Sequence, residues 1–114
     1  MDIEFFHLYC LSKPFASECF PFDETTLVFK VAGKMFALTD LNESFAITLK
    51  CDPERAMFLR EHYPAIRPAW HFNKKHWNRI DIDGSFTDKM LLELIDHSYD
   101  LVVHSLPKKF RNQL

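Results

Sequence analysis

The chain is short of glycine and cysteine and has no long apolar run. Its 114 residues include only 2 glycines and 3 cysteines. So few glycines argue against a glycine-rich loop that would cradle a nucleotide phosphate. An odd number of cysteines without a CxxC pair predicts neither a disulfide framework nor a zinc finger. We therefore expect Cys10, Cys19 and Cys51 to be buried or half-buried free thiols in a reducing cytosol.

Membrane insertion and secretion are also disfavoured by what is missing. No apolar stretch approaches the ~20 residues that a bilayer-spanning helix needs. The opening "MDIEFFHLYC" carries acidic residues where a signal peptide would carry basic ones. The length and the 47% hydrophobic content predict one domain over residues 1–114 with its own core. We expect a cytoplasmic protein with no membrane partner, and a monomer.

Charge is distributed unevenly along the chain. The net charge is only −2, which does not by itself predict a nucleic-acid partner. Residues 62–80, however, contain no acid and four basic residues, and residues 101–114 contain no acid and three. Two segments therefore concentrate the positive charge.

Hydrophobic periodicity predicts helices at both ends of the chain and strands grouped between them. Helices are expected at 2–13, 51–64, 87–106 and 107–112, the second capped by Asp52 with Pro53 in its first turn. Strands are expected at 26–31, 34–41, 44–51 and 78–84, with an edge strand or lead-in at 18–22. Ala32 and Gly33 suit a tight turn. Because the strands are grouped, the pattern predicts an α+β fold with a mostly antiparallel sheet and flanking helices.

An ordered set of segments resembles the MmcQ/YjbR family. The set comprises "CFPF" at 19–22, "LVFKVAGKMFAL" at 27–38, "LKCDPE" at 49–54, "YPAIRPAWHFNKKHWNRI" at 63–80, "LIDHSYDLV" at 94–102 and "LPKK" at 106–109. The resemblance implies a double-wing α+β architecture, seen also in a DNA-binding transcription factor domain, and a DNA-binding role. It implies no catalytic residues. Ala69 departs from the family pattern, in which glycine is common at this position.

The strongest functional candidates are the acid-free stretch, residues 62–80, and the basic tail, residues 101–114. Cationic side chains can neutralise phosphates, and amides or imidazoles can contact phosphates or base edges. The predicted nucleic-acid-binding residues are Arg67, His71, Asn73, Lys74, Lys75, His76, Asn78, Arg79, Lys108 and Lys109. The alternative is a non-enzymatic interaction or regulatory domain that presents the aromatic and basic loop 71–79 to an acidic protein partner.

Simpler roles for the same residues remain open. The aromatic residues Trp70, Phe72 and Trp77 are expected to pack in or beside the core, since large aromatics dominate small cores. Asn73 can cap a turn at "KKHW". If this segment is a turn followed by a strand, Lys75, Trp77 and Arg79 would alternate on one face.

Catalysis, cofactor binding and metal binding are not predicted. His71 and His76 are five residues apart and lack an HExxH motif or a Cys/His cluster, so we expect them to form hydrogen bonds in or beside the core. Cys51 has no recognisable base partner and is expected to be a packed thiol. In "DHSYDLV" at 96–102, Tyr99 is expected to pack while its hydroxyl reaches a loop, with a protein-partner surface as the alternative.

Overall fold

The computed structural model describes residues 1–114 as four helices and one six-stranded sheet. The elements are α1 (Ile3–Leu11), β1 (Ala16–Cys19), β2 (Thr26–Val31), β3 (Lys34–Asp40), β4 (Ala46–Lys50), α2 (Pro53–His62), β5 (Ile66–Pro68), β6 (Trp77–Asp81), α3 (Asp88–Ser105) and α4 (Lys108–Arg111). None of the helices is both long enough and apolar enough to cross a bilayer.

The sheet is entirely antiparallel, which confirms the α+β prediction. Its strand order is β1-β2-β3-β4-β6-β5, and every neighbouring pair is antiparallel. Strand β5 was not predicted, because its three residues, Ile66–Pro68, are too few to show alternation and end in a proline. An edge position suits Pro68, since proline cannot donate to a central ladder.

One face of the sheet carries the main core. A cluster of 19 buried residues joins this face to α1, α2 and α3. The Phe6 ring meets Phe29 edge-on at 5.5 Å, and Phe36 meets Tyr99 in the same way at 5.3 Å. Edge-to-face pairs add roughly 0.5–1.5 kcal/mol beyond their buried area. The face of α3 that packs on the sheet is apolar except for one serine, and its buried residues include Leu91, Leu94, Ile95, Ser98 and Val102.

Local sequence signals account for the start of α2 and for the β2–β3 turn. The Asp52 carboxylate accepts a hydrogen bond from the Arg55 N–H at 3.2 Å, and Pro53 is the first helical residue, as predicted. Gly33 takes a left-handed φ of +79° in the turn. Ala32 also has a positive φ, +50°, and a side chain makes this conformation unfavourable.

Helix α3 is tied to α1 and the following loop by two polar side chains. The Asp96 carboxylate accepts a hydrogen bond from the Tyr9 hydroxyl at 2.6 Å and forms an ion pair with Lys13. The Tyr99 hydroxyl donates to the Pro14 carbonyl at 2.7 Å while its ring packs in the core. This confirms the packing role expected for Tyr99.

His97 and Ser98, which lie between Asp96 and Tyr99, connect α3 to α2 and to the sheet. His97 Nε2 accepts a hydrogen bond from the Asp52 N–H at 3.1 Å. Ser98 is fully buried, and its hydroxyl donates to the Phe36 carbonyl at 2.5 Å and accepts from the Lys50 N–H at 2.9 Å. The β3–β4 ladder has ended at this point, so Ser98 bridges two strands that no longer pair directly. Residues 96–99 therefore have a structural role, since their side chains connect α3 to α1, to α2 and to the sheet.

Candidate nucleic-acid interface

The basic loop, residues 69–76, joins β5 to β6. Ala69 continues the strand ladder, since its N–H donates to the Trp77 carbonyl at 3.0 Å. It is 6% exposed and does not have a positive φ, so its side chain is accommodated without backbone strain. Alanine in place of the glycine common in the family therefore does not disturb the backbone where the loop begins.

Asn73 organises the second half of the basic loop. Its side-chain oxygen accepts a hydrogen bond from the Lys75 N–H at 3.0 Å. Its backbone carbonyl accepts from the N–H groups of His76 and Trp77, both at 3.0 Å. The predicted capping role is confirmed. Strand β6 begins only at Trp77, so Lys75 lies in the turn and does not alternate with Trp77 and Arg79 along a strand.

Trp70 is the most exposed aromatic residue of the loop, and the prediction that it packs is wrong. It is 68% exposed because it lies just past the last rung of the β5–β6 ladder, the hydrogen bond between Ala69 and Trp77. The Lys74 ammonium lies 4.4 Å from the centre of its ring, a cation–π contact. Phe72 and Trp77 are half-buried with ring centres 5.8 Å apart, which confirms their predicted packing.

Arg60 of α2 holds the basic loop in place. Its Nε donates to the Asn78 side-chain oxygen at 2.6 Å, and its guanidinium also donates to the Lys74 carbonyl. Asn78 is only 2% exposed, so it is removed from the predicted nucleic-acid-binding set. Arg60 was not predicted, because nothing in the local sequence links it to residues 14 and 18 positions later.

The two arginines of the candidate set are already paired with carboxylates. Arg67 Nη2 lies 3.0 Å from Asp81, and Arg79 contacts both Glu43 at 3.2 Å and Asp81 at 3.3 Å. All of these side chains are partly exposed, so each pair contributes little stability. The pairs nevertheless offset the positive charge that the sequence places here.

The remaining loop residues are a mixed set. His71, Lys74 and Lys75 are exposed, whereas His76 is half-buried. Neither imidazole makes a hydrogen bond, so the expectation that His71 and His76 bond in or beside the core is wrong. The two lysines form no ion pair with a carboxylate. They are therefore the free cations of the loop.

The basic tail lies at the other side of the sheet. Phe110 of α4 borders a small cavity together with Phe15 and with Ala32 and Gly33 of the β2–β3 turn. The basic loop instead joins β5 and β6. Two to five interstrand spacings separate the two regions, roughly 9–24 Å. Lys108 and Lys109 therefore do not extend the loop into one continuous patch.

Reactive groups are scarce around the loop. No group of three or more His, Cys, Asp or Glu side chains is arranged to hold a metal ion. Burial raises the pKa of the Cys51 thiol, with a smaller opposing effect from Arg55. A raised pKa keeps the thiol protonated and poorly nucleophilic. All three cysteines are free, with Cys10 and Cys51 buried and Cys19 half-buried, as expected.

Comparison with known families agrees with this fold. A model of the YjbR family matches residues 11–101. The chain belongs to the YjbR family. It is 36% identical over 107 residues to the uncharacterized protein YjbR of Escherichia coli strain K12, covering 93% of this chain and 91% of that one. It is 38% identical over 100 residues to the uncharacterized protein YbdF of Escherichia coli O157:H7, covering 87% and 82%.

Solved structures extend the family relationship to three dimensions. The Deinococcus radiodurans protein DR2400, described as a DUF419 domain, superposes with a TM-score of 0.92 at 39% identity, covering 97% of this chain and 86% of that one. A Pseudomonas syringae protein, structural-genomics target PsR293, gives 0.74 at 28% identity, covering 89% and 98%. Family membership thus accounts for the fold, while the candidate interface rests on the geometry of this YjbR-family chain.

Proposed function

We propose that this YjbR-family chain is a small, monomeric, non-enzymatic cytoplasmic protein that binds DNA, with single strands preferred over duplex. The observation that carries the proposal is the pairing of Trp70, 68% exposed, with two lysines free of carboxylate partners, Lys74 and Lys75, in one short loop. Proteins that bind single strands combine cationic side chains for the backbone with aromatic rings on which bases stack.

The charge pattern favours single strands over duplex. Duplex binding depends largely on how many phosphates the protein neutralises. Arg67 and Arg79 are paired with carboxylates, and the basic tail lies elsewhere, which leaves Lys74 and Lys75 as free cations. Two phosphate contacts alone support weak duplex binding. An exposed tryptophan adds stacking energy only where bases are unpaired, about 1–3 kcal/mol per base.

Titration of an oligothymidylate at several salt concentrations tests the proposal. Two phosphate contacts on a single strand predict a log–log salt slope of about −1.4, or roughly sevenfold weaker binding at 200 mM than at 50 mM salt. The double variant Lys74→Ala/Lys75→Ala should bring this slope close to zero. The matched control Lys108→Ala/Lys109→Ala makes the same charge change outside the loop and should leave it unchanged. If the protein binds neither single-stranded nor duplex DNA at 50 mM salt, the proposal is refuted.

A second candidate is an acidic protein partner for the same loop. The specific observation is that Phe22, 60% exposed, lies beside the loop with its ring 6.0 Å from that of Phe72. Aromatic residues are enriched at protein interfaces. This candidate is favoured if DNA binding is absent and a single protein, recovered by affinity capture, is lost on both Trp70→Ala and Lys74→Ala/Lys75→Ala.

A further inference from the structure

A groove of about 550 Å³ lies on the sheet face opposite the main core. Its floor is formed by Leu38, Ala46 and Thr48, which alternation places away from the core residues Ile47 and Leu49. Two segments border it: the β1–β2 connection at 20–25, and residues 69–72 of the basic loop. The volume lies within the range of small-molecule sites, about 300–1,000 Å³.

One polar group in the floor of the groove lacks a partner. Thr48 is only 9% exposed, and its hydroxyl makes no hydrogen bond within the protein. Thr39, a buried threonine of the neighbouring strand, does have one, since its hydroxyl donates to the Ala46 carbonyl at 2.7 Å. The Thr48 hydroxyl, by contrast, is accessible from the groove, and the buried side-chain atom left without a partner is Asn78 Nδ2. The Thr48 hydroxyl is therefore available to hydrogen-bond to a group bound in the groove.

The charges around the groove indicate a neutral ligand. Its carboxylates belong to Asp23, Asp40 and Glu43, and its cations to Arg67 and Arg79. Arg67 and Arg79 are held by Asp81 and Glu43, so no uncompensated cation is left for a phosphate. Both Asp23 oxygens already accept hydrogen bonds from Thr25 and Thr26, whereas Asp40 and Glu43 each keep one free oxygen. Such oxygens repel an anion but accept hydrogen bonds from amino or imino groups.

The walls of the groove suit a flat aromatic group. Phe22, Trp70 and Phe72 line it from the two bordering segments. Trp70 belongs both to the groove and to the loop that carries Lys74, so a ligand in the groove lies next to the free cations. A neutral aromatic group attached to a phosphate chain matches this layout, because ring and phosphate would each meet the chemistry that favours them.

We propose that the groove receives one nucleobase of a bound single strand, which stacks on the aromatic wall and hydrogen-bonds to the Thr48 hydroxyl. The phosphates of the same strand remain outside, on Lys74 and Lys75. This inference rests on the proposed function and names the part of the DNA that gives the site its selectivity for unpaired bases. Base insertion is compatible with single strands because no pairing has to be broken first.

Two substitutions at one position test the inference. Thr48→Val keeps the side-chain shape and removes the hydroxyl, whereas Thr48→Ser keeps the hydroxyl and serves as the matched control. Loss of one hydrogen bond predicts oligothymidylate binding about 3–10-fold weaker for Thr48→Val, with the salt slope unchanged. Thr48→Ser should bind within about twofold of wild type. Thermal unfolding of both variants verifies that the fold is retained.

A strand without bases provides a second, independent measurement. An oligonucleotide of the same length and charge but with abasic sugars should bind at least tenfold more weakly than oligothymidylate. Equal binding of the two strands, or wild-type binding by Thr48→Val, overturns base insertion while leaving the proposed function intact.

Titration with free thymidine tests base binding in the groove independently of DNA binding by the loop. It should shift the amide NMR signals of Thr48 and its groove neighbours, and the Lys74→Ala/Lys75→Ala variant should show the same shifts. Thymidine shifts without any oligonucleotide binding would refute the proposed function and retain the groove as a nucleoside site. The absence of thymidine shifts at millimolar concentration counts against the groove alone.

Discussion

Replacing Ser98 with alanine removes the bridge between α3 and two strands. The hydroxyl is fully buried and connects the Phe36 carbonyl and the Lys50 N–H at 2.5 and 2.9 Å. Ser98→Ala leaves both backbone groups without this partner, in a place where water cannot easily replace it. An unsatisfied buried group costs about 1–3 kcal/mol, and the Lys50 site is only partly buried, so we expect a loss of about 2–4 kcal/mol.

Such a loss is large for a chain of this size. Domains are stable by about 5–15 kcal/mol in total, so Ser98→Ala should remove a substantial fraction. The expected fall in melting temperature is roughly 10 °C. Urea unfolding monitored by tryptophan fluorescence should show a lower midpoint with an unchanged m-value, because the surface exposed on unfolding stays the same.

Ser105→Ala in the same helix is the matched control. The Ser105 hydroxyl donates to the Val102 carbonyl of its own helix at 2.6 Å and accepts only a long, exposed hydrogen bond from the Lys34 ammonium at 3.4 Å. The residue itself is exposed. We expect its stability to stay within about 0.5 kcal/mol of wild type. If Ser98→Ala is equally neutral, the bridge contributes no net stability, and the structural role assigned to residues 96–99 is wrong.

Two further predictions concern His97 and Ala32. Burial, together with the Arg55 charge, lowers the pKa of His97 below its usual value. Between the lowered pKa and the usual value, the unfolded state binds more protons than the folded state. The contribution of His97 to stability should therefore be fully present above about pH 6.5 and be lost as the pH falls through the lowered pKa. Urea unfolding between pH 5 and 8 should show this fall in the free energy of unfolding for wild type but not for His97→Gln. The same pH dependence in both proteins would contradict the prediction. For Ala32, with a φ of +50°, Ala32→Gly should raise stability by about 0.5–1 kcal/mol in thermal unfolding, and a loss would refute the strain argument.

Much of the fold was predictable because its signals are local. The Asp52–Pro53 start of α2, the Gly33 turn and the apolar stripe of α3 each depend on residues within a few positions of one another. β5 was missed because its pairing with β6 joins Ile66 to Ile80 across the whole basic loop. A strand of three residues beside a proline has no periodicity of its own to reveal it.

The candidate site was predictable in composition but not in arrangement. The acid-free stretch of the sequence contains the loop that carries Lys74 and Lys75. Pairing of Arg79 with Glu43 joins residues 36 positions apart, so no local pattern could show that this charge is offset. Burial of Asn78 follows from its place on β6, between β4 and β5, and from its contact with Arg60, 18 positions earlier. Exposure of Trp70 depends on where the ladder of β5 and β6 ends.

Residue types and short-range order came from the sequence alone. It determined that cations, amides and aromatics would be concentrated at 67–80, and that helices and strands would fall close to their observed positions, because these properties depend on neighbouring residues. Only the tertiary structure decided which cations remain free, which amide is buried, that the two basic segments lie apart, and that Thr48 sits unpartnered in a groove. Each of these depends on contacts between residues distant in the chain, which form only when the strands pair and the helices pack.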